Sequence, residues 1–432
     1  MSSERPEPLS GKDEGSYAYL TIRDRMPTIL TKVIDCIHRK ATEYTRENKQ
    51  EHAQDARDIV GWLSKLNYEM KTNKKLSMVE DTKNDAHLWN EFLKNATSLV
   101  DGSKISWFSG AWLTCECFMY RKIYEALALS KLHQDFDPFR EQKQASFMSQ
   151  QDNIASLANI LVASLDAFSE SSISKTQELR FEMFLQFSLW GNKCDLSISG
   201  GEVVAENAGL SLKLEDLRKH ILVNNTSRIW QTLQDQNNQR IDFILDNAGF
   251  ELFTDLCLAE TLLNLNKAQV IFLHLKDFPW FVSDTTQEDF FWTLKKLKES
   301  DVESLSKLGH RWEERIQNGS FVLKKHFYWT LCHDFSQMKS TASELYDELA
   351  KSKLLLFKGD LSYRKLVGDR KWPHTMPFAE ALWGFYPAPL CALRTIKAEV
   401  VVGLEEGKDN AVEAVDKDWM ITGTYAVIEF HQ

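Results

Sequence analysis

Four short stretches of this chain carry residues whose types and order suit chemistry on an anion. Leu245-Asp246-Asn247-Ala248-Gly249-Phe250-Glu251 sets an acid and an amide directly behind an apolar run. PWFVSDTT holds Asp284. LFKGDLSYRKLVGDRKW, which ends at Trp372, crowds Gly359, Asp360, Leu361, Ser362, Tyr363, Arg364 and Lys365 behind another apolar run, and PLCALRTIKAEV brings Arg394-Thr395-Ile396-Lys397. Asp carboxylates and an Asn carbonyl, without His or Cys, are hard oxygen donors that suit a hard divalent cation such as Mg²⁺ or Mn²⁺. Such an ion keeps several waters, polarises a phosphoryl oxygen and acidifies a water that then attacks in line. Arg364, Lys365 and Lys397 would clamp the phosphate, a helix beginning near residue 360 would add oriented N–H groups, and Gly359 allows close backbone approach.

Each piece also has a plainer reading. An Asp just after a strand is often the N-cap of the next helix, and the cations of SYRKLVGDRKW fit a solvated helix face. On residue types alone the stretch is either a solvated turn or an anion or metal site. For the second reading to hold, the strands that deliver these residues must be neighbours, because ligands of open parallel sheets bind beyond the carboxyl ends of the strands.

The elements predicted around them allow this. RIDFIL (240–245), QVIFLHL (269–275) and KLLLFK (353–358) read as short apolar strands, and residues 249–266, 286–300 and 343–351 as helices between them. This alternation implies βαβ units. Upstream, Ile22, Met26, Ile29, Leu30, Val33, Ile34 and Ile37 recur at threes and fours, as do Ile154, Leu157, Ile160, Leu161, Leu165 and Phe168, so that part is helical. The expected fold is α/β: a mostly parallel sheet flanked by helices in three layers, with an N-terminal α-helical region packed on it. Residues 1–16 are expected as a flexible tail, 17–235 as the helical region and 236–432 as the α/β core that binds metal and phosphate.

Composition narrows the function classes. A chain of 432 residues with 43% hydrophobic content and 9 prolines can bury a large core. The formal charge of -10 and the absence of a long basic run argue against a general nucleic-acid binder. No apolar stretch is long enough to cross a bilayer, and MSSERPEPLSGKDEGS lacks the apolar run of a signal peptide. The 7 cysteines show no CxxC pairing, which suits a reducing compartment. A soluble intracellular protein, of the cytoplasm and with the nucleus left open, is expected, with no membrane or nucleic-acid partner. The oligomeric state is open, a monomer included. The histidines show no paired spacing for zinc, and no GxxxxGK[ST] occurs.

In order and spacing the four stretches resemble the successive motifs of the damage-control phosphatase family, formerly the domain of unknown function 89. The Arg-Thr-x-Lys element resembles the mark of its subfamily III, the sugar-phosphate phosphatases. SLWGNKCDLSISGG (188–201) and WFSGAWLTCECFMYRKIYEAL (107–127) are similar to that subfamily's helical part. The resemblance implies a metal-dependent phosphatase, with Mn²⁺, Co²⁺, Ni²⁺ or Mg²⁺, that hydrolyses sugar phosphates such as fructose 1-phosphate and fructose 6-phosphate in metabolite damage control. It implies Asp246, Asn247 and Asp284 as metal ligands. It implies Asp246, Asn247, Asp360, Leu361, Ser362, Tyr363 and Arg364, with Lys397, as substrate contacts. Family members commonly carry Asn where this chain has Ser362, which bears on sugar preference. Glu116 is either a partner for Arg121 or a contact reaching the site, and Asn192 and Asp195 either orient a loop or reach the substrate.

Two other classes stand beside this one. IDFILDNAGFE faintly resembles the strand and acidic glycine loop that holds S-adenosylmethionine, which would make the protein a carboxyl methyltransferase acting on protein glutamate or aspartate residues. The usual loop has two or three close glycines, whereas here Gly249 stands alone. A non-catalytic binding protein with a vestigial site fits poorly with an acid, an amide, an acid and a lysine all retained in order. No Ser or Cys lies in an activated motif, so a metal-activated water is the expected nucleophile, with Asp246 or Asp360 acting covalently or as general base left open.

Overall fold

The computed structural model describes residues 4–166, 174–191, 215–234 and 239–432. Its centre is built from runs too apolar to face water on either side. Strands β2 (Arg240–Ile244), β5 (Leu354–Lys358) and β6 (Leu390–Thr395) are buried at every position, the pattern of parallel strands covered on both faces. With β1 (Ile221–Asn224), β3 (Val270–Leu275), β4 (Phe321–Lys325) and β7 (Ala426–His431) they form a seven-stranded sheet in the order β1-β7-β6-β5-β2-β3-β4. Every pairing is parallel except β6 with β7.

One face is covered by α5 (Ser174–Trp190), α6 (Phe250–Asn264), α7 (Gln287–Lys298) and α8 (Glu303–Gln317), and Ile241, Phe243 and Leu356 point into that core. Ile244, Leu355 and Phe357 point into the other core, which contains α1 (Met26–Arg46), α2 (Gln50–Lys71), α3 (Trp112–Ala128) and α9 (Gly359–Val367). The remaining long helix, α4 (Gln151–Asp166), packs on the α6 side. The three-layer α/β fold with a helical N-terminal region is therefore as expected.

The order matters for function. From β2 the chain winds outward through β3 and β4, then returns to the other side of β2 to lay down β5 and β6. The sheet thus reverses its winding between β2 and β5, and a crevice opens there at the carboxyl ends of the strands.

Two expectations need correction. Residues 4–16 do not form a free tail: Leu9 is buried, its N–H donates to the Asp369 carbonyl at 2.9 Å, and its carbonyl accepts from Trp112 N–H at 2.8 Å. Arg5 also pairs with Asp334 at 3.0 Å. One apolar side chain and backbone pairing on both sides fix a segment whose composition reads as tail. The sheet also takes β1 from before residue 236, as well as β4 and β7, which the apolar runs do not announce.

Candidate active site

Asp246 and Asn247 leave the end of β2, and Gly359 and Asp360 leave the end of its neighbour β5. Asp284 comes from the loop behind β3, on the other side of β2, where Asn247 and Asp284 form an antiparallel bridge. That loop turns through two residues of positive φ, Phe281 (44°) and Val282 (69°). A β-branched residue in that region stores strain that the surroundings must impose. Hydrogen bonds from Ala248 N–H to Ser283 O at 2.7 Å and from Thr285 N–H to Asp246 O at 2.7 Å hold it. The three acids consequently line one cavity of about 310 Å³, together with Asn247, Lys397 and Glu116.

Within the cavity Asn247 Nδ2 donates to Asp246 Oδ2 and to Glu251 Oε2, both at 2.8 Å, while its carbonyl oxygen accepts from the Ser283 hydroxyl. Lys276 Nζ lies 3.0 Å from Asp284 Oδ2 and donates to Leu245 O at 2.7 Å. Burial first, then the charges of Asp284 and Glu251, push the Asp246 carboxyl well above its usual range, with Lys276 and Lys397 pulling the other way. Burial likewise raises Asp284, against Lys276. Asp360 behaves oppositely: burial would raise it, but Arg394 and Arg364 hold it below the ordinary carboxylate range. Its Oδ1 accepts from Arg394 Nε at 2.8 Å and Lys397 N–H at 3.1 Å.

The oxygen donors fit a hard cation. Two buried carboxylates repel each other, the amide beside them adds a carbonyl, and among the described residues no soft donor lines the cavity. Among the described residues no group of three or more His, Cys, Asp or Glu side chains is placed to hold a metal ion, so the donors here are two carboxylates and an amide. A site of this kind would leave part of the coordination sphere to water and substrate.

The cations sort differently from their order in the sequence. Arg364 lines the cavity but is committed to Glu116 at 2.7 Å and to Asp369 at 2.9 and 3.0 Å. Glu116 is therefore the partner of Arg364 and not of Arg121, which pairs with Asp81 and Asp85. Lys365 turns into the core, donating to Trp329 O at 3.1 Å and Leu331 O at 2.6 Å, so it is neither a phosphate clamp nor solvated. Arg394 spends its guanidinium on Asp360 and on the carbonyls of Ala398 and Val400. The Lys397 side chain makes no hydrogen bond or ion pair among the described residues.

Of the substrate segment, Asp360 and Leu361 line the cavity, whereas the buried Ser362 and Tyr363 do not. The Tyr363 hydroxyl accepts from Val402 N–H at 3.0 Å on the far side of α9. A helix shows only some of four consecutive side chains to one face. Asn192 and Asp195 lie outside the described residues. Sequence reasoning missed Tyr17, Arg25, Lys276 and Ser283. Lys276, directly after β3, carried a positional signal, and Arg25 carried none.

The domain described as "Damage-control phosphatase ARMT1-like domain" matches residues 21–412. A protein named damage-control phosphatase ARMT1 from Xenopus tropicalis is 44% identical over 433 residues, covering 98% of each chain. Its counterpart from Homo sapiens is 42% identical over 434 residues, again covering 98% of each. A solved DUF89 family protein from Pyrococcus horikoshii aligns over 95% of this chain and 98% of its own at 12% identity and a TM-score of 0.44. At that score the likeness adds nothing to the topology above. With the domain spanning most of its length and full-length relatives above 40% identity, this chain belongs to the ARMT1-like damage-control phosphatase family.

Proposed function

We propose that the cavity between β2 and β5 hydrolyses the phosphate monoester of small sugar phosphates, fructose 1-phosphate and fructose 6-phosphate among them, with the help of a divalent cation. The observation that supports this most is the meeting of Asp246, Asn247, Asp284 and Asp360 in one cavity at the sheet's reversal point with Lys397, whose side chain is unpartnered among the described residues. Asp246, Asp284 and the Asn247 carbonyl would hold the cation. The chemistry a cation supplies in such a site is polarisation of a phosphoryl oxygen and acidification of a water.

The chain's own residues supply the rest. Lys397 presents an ammonium to the phosphate, and α9 opens on the cavity with the N–H groups of its first turn. Asp360 stays ionised, and its Oδ2 has no partner among the described residues, so it is the group available as base or nucleophile. Asn247, fixed by Glu251 and Ser283, keeps the two ligand carboxylates in register.

Release of inorganic phosphate from the two fructose phosphates and an aryl phosphate tests the proposal. Chelation should abolish turnover, and Mn²⁺, Co²⁺, Ni²⁺ or Mg²⁺ should restore it. Turnover that survives exhaustive chelation refutes the cation's role. Binding of S-adenosylmethionine without metal, and no phosphate release, would replace this reading with methyl transfer.

A further inference from the structure

Two cavities meet at Arg25. The catalytic cavity shares Tyr17, Arg25, Phe281 and Ser283 with a wider cleft of about 1110 Å³ that runs along the start of α1. Arg25 ends a five-residue π turn, Thr21–Arg25, set between the helical turn Tyr17–Leu20 and α1. Such widened turns occur often at functional sites, because the extra residue re-aims a side chain at the expense of regular hydrogen bonding.

The neighbouring Arg23 folds back on Asp24 with two bonds of 2.9 and 2.6 Å. Arg25 makes no hydrogen bond or ion pair among the described residues. Arg25 is an exposed residue, and against partial desolvation the nearby carboxylates of Glu116 and Asp360 favour its charge. Of the cations lining the catalytic cavity, Arg364 is fully committed, so Arg25 and Lys397 are the two with capacity for a ligand. A guanidinium unpaired among the described residues, at the mouth of an acidic cavity, offers a fork of donors to oxygen anions.

We propose that Arg25 is a second substrate-binding cation, which takes the ester's phosphate together with Lys397 at the seam where the rest of the substrate passes into the wider cleft. This rests on the phosphatase reading above. It assigns binding to the π turn of the helical region, a part of the chain otherwise serving as scaffold. It also gives a reason for the outer cleft, which leaves room for a leaving group larger than a hexose.

Inorganic phosphate, titrated calorimetrically into the metal-loaded protein, tests this without turnover. Arg25→Gln should weaken phosphate binding by about tenfold or more, as loss of one charge-assisted contact does. Arg25→Lys, which keeps the charge without the fork, should fall between Arg25→Gln and wild type. Melting temperature should not change for either variant, since no partner among the described residues is lost. Phosphate affinity of Arg25→Gln within twofold of wild type, in a protein where Lys397→Ala does lose affinity, overturns the assignment. So does a lowered melting temperature that tracks the loss, which would make Arg25 structural. Absence of phosphate binding by the wild-type protein itself overturns the phosphatase reading, and this assignment with it.

Discussion

Replacing Gly359 by Ala tests whether the Asp246 carboxylate must stand where it does. Gly359 has φ +81°, and a Cβ built there would lie 1.9 Å from Asp246 Oδ2 and 2.2 Å from its Cγ. The carboxylate must retreat by about 1.1 Å before the contact reaches even 3.0 Å. A misplacement of about 1 Å in a reacting site is commonly worth about a hundredfold in rate. Positive φ adds a separate penalty for any L side chain, on the order of 1–3 kcal/mol. Gly384 separates the two effects, because it has φ +85° and a Cβ added there would meet nothing within 4 Å. Gly359→Ala should therefore lose about a hundredfold or more in kcat/KM for phosphate release at saturating metal, as well as stability in urea melts. Gly384→Ala should lose only the stability that the positive φ costs and keep its activity. Turnover of Gly359→Ala within threefold of wild type, or an equal loss in Gly384→Ala, would refute the reasoning.

Lys397→Ala should lower kcat/KM by about tenfold to a hundredfold, the worth of one desolvated charge-assisted contact, without weakening metal binding by calorimetry. Lys365→Met should leave kcat nearly unchanged and lower stability by about 2 kcal/mol or more in urea melts, because it orphans the Trp329 and Leu331 carbonyls. Burial pushes the Glu429 carboxyl from 4.5 up to about 8. Its contribution to stability is whole below pH 4.5 and falls as pH rises towards 8, by up to about 5 kcal/mol. Glu429→Gln should flatten that decline in urea melts taken from pH 5 to 8.5; an unchanged slope would show that Glu429 ionises normally.

What the sequence made legible depended on whether local pattern or tertiary partnership decides the matter. β2, β3 and β5 are apolar runs with polar ends, and they stand out. β7 hides because Glu429 sits buried in its middle, and β4 because Lys324 and Lys325 make half of it read as surface. Asp246, Asp284 and Asp360 could be placed together in advance because acids at strand ends must converge if the strands are neighbours, and they are. Ser362 and Tyr363 could not be excluded in advance, since the face that a one-turn stretch of α9 presents is set by how the helix docks.

The cations show the same limit more sharply. Arg364, Lys365, Arg394 and Lys397 look alike in a sequence, and three of them are spent on internal acceptors. Arg364 finds Glu116, which is 248 residues away; Lys365 finds two carbonyls of the Phe327–Thr330 turn and its end; Arg394 ties Asp360 to the Ala398–Val400 loop. These commitments have a function even though none of the three is free to bind. Arg364 and Arg394 keep Asp360 ionised in a cavity where burial would protonate it, while burial and neighbouring acids hold Asp246 and Asp284 above the usual range despite Lys276. The cavity is thereby divided into an acid already neutralised by protein and a pair of acids that a cation would complete. On the proposed reading, Lys397 and Arg25 remain for the anion. That division, and not the number of charges, would on the same reading set this cavity apart from a buried salt-bridge network of the same composition.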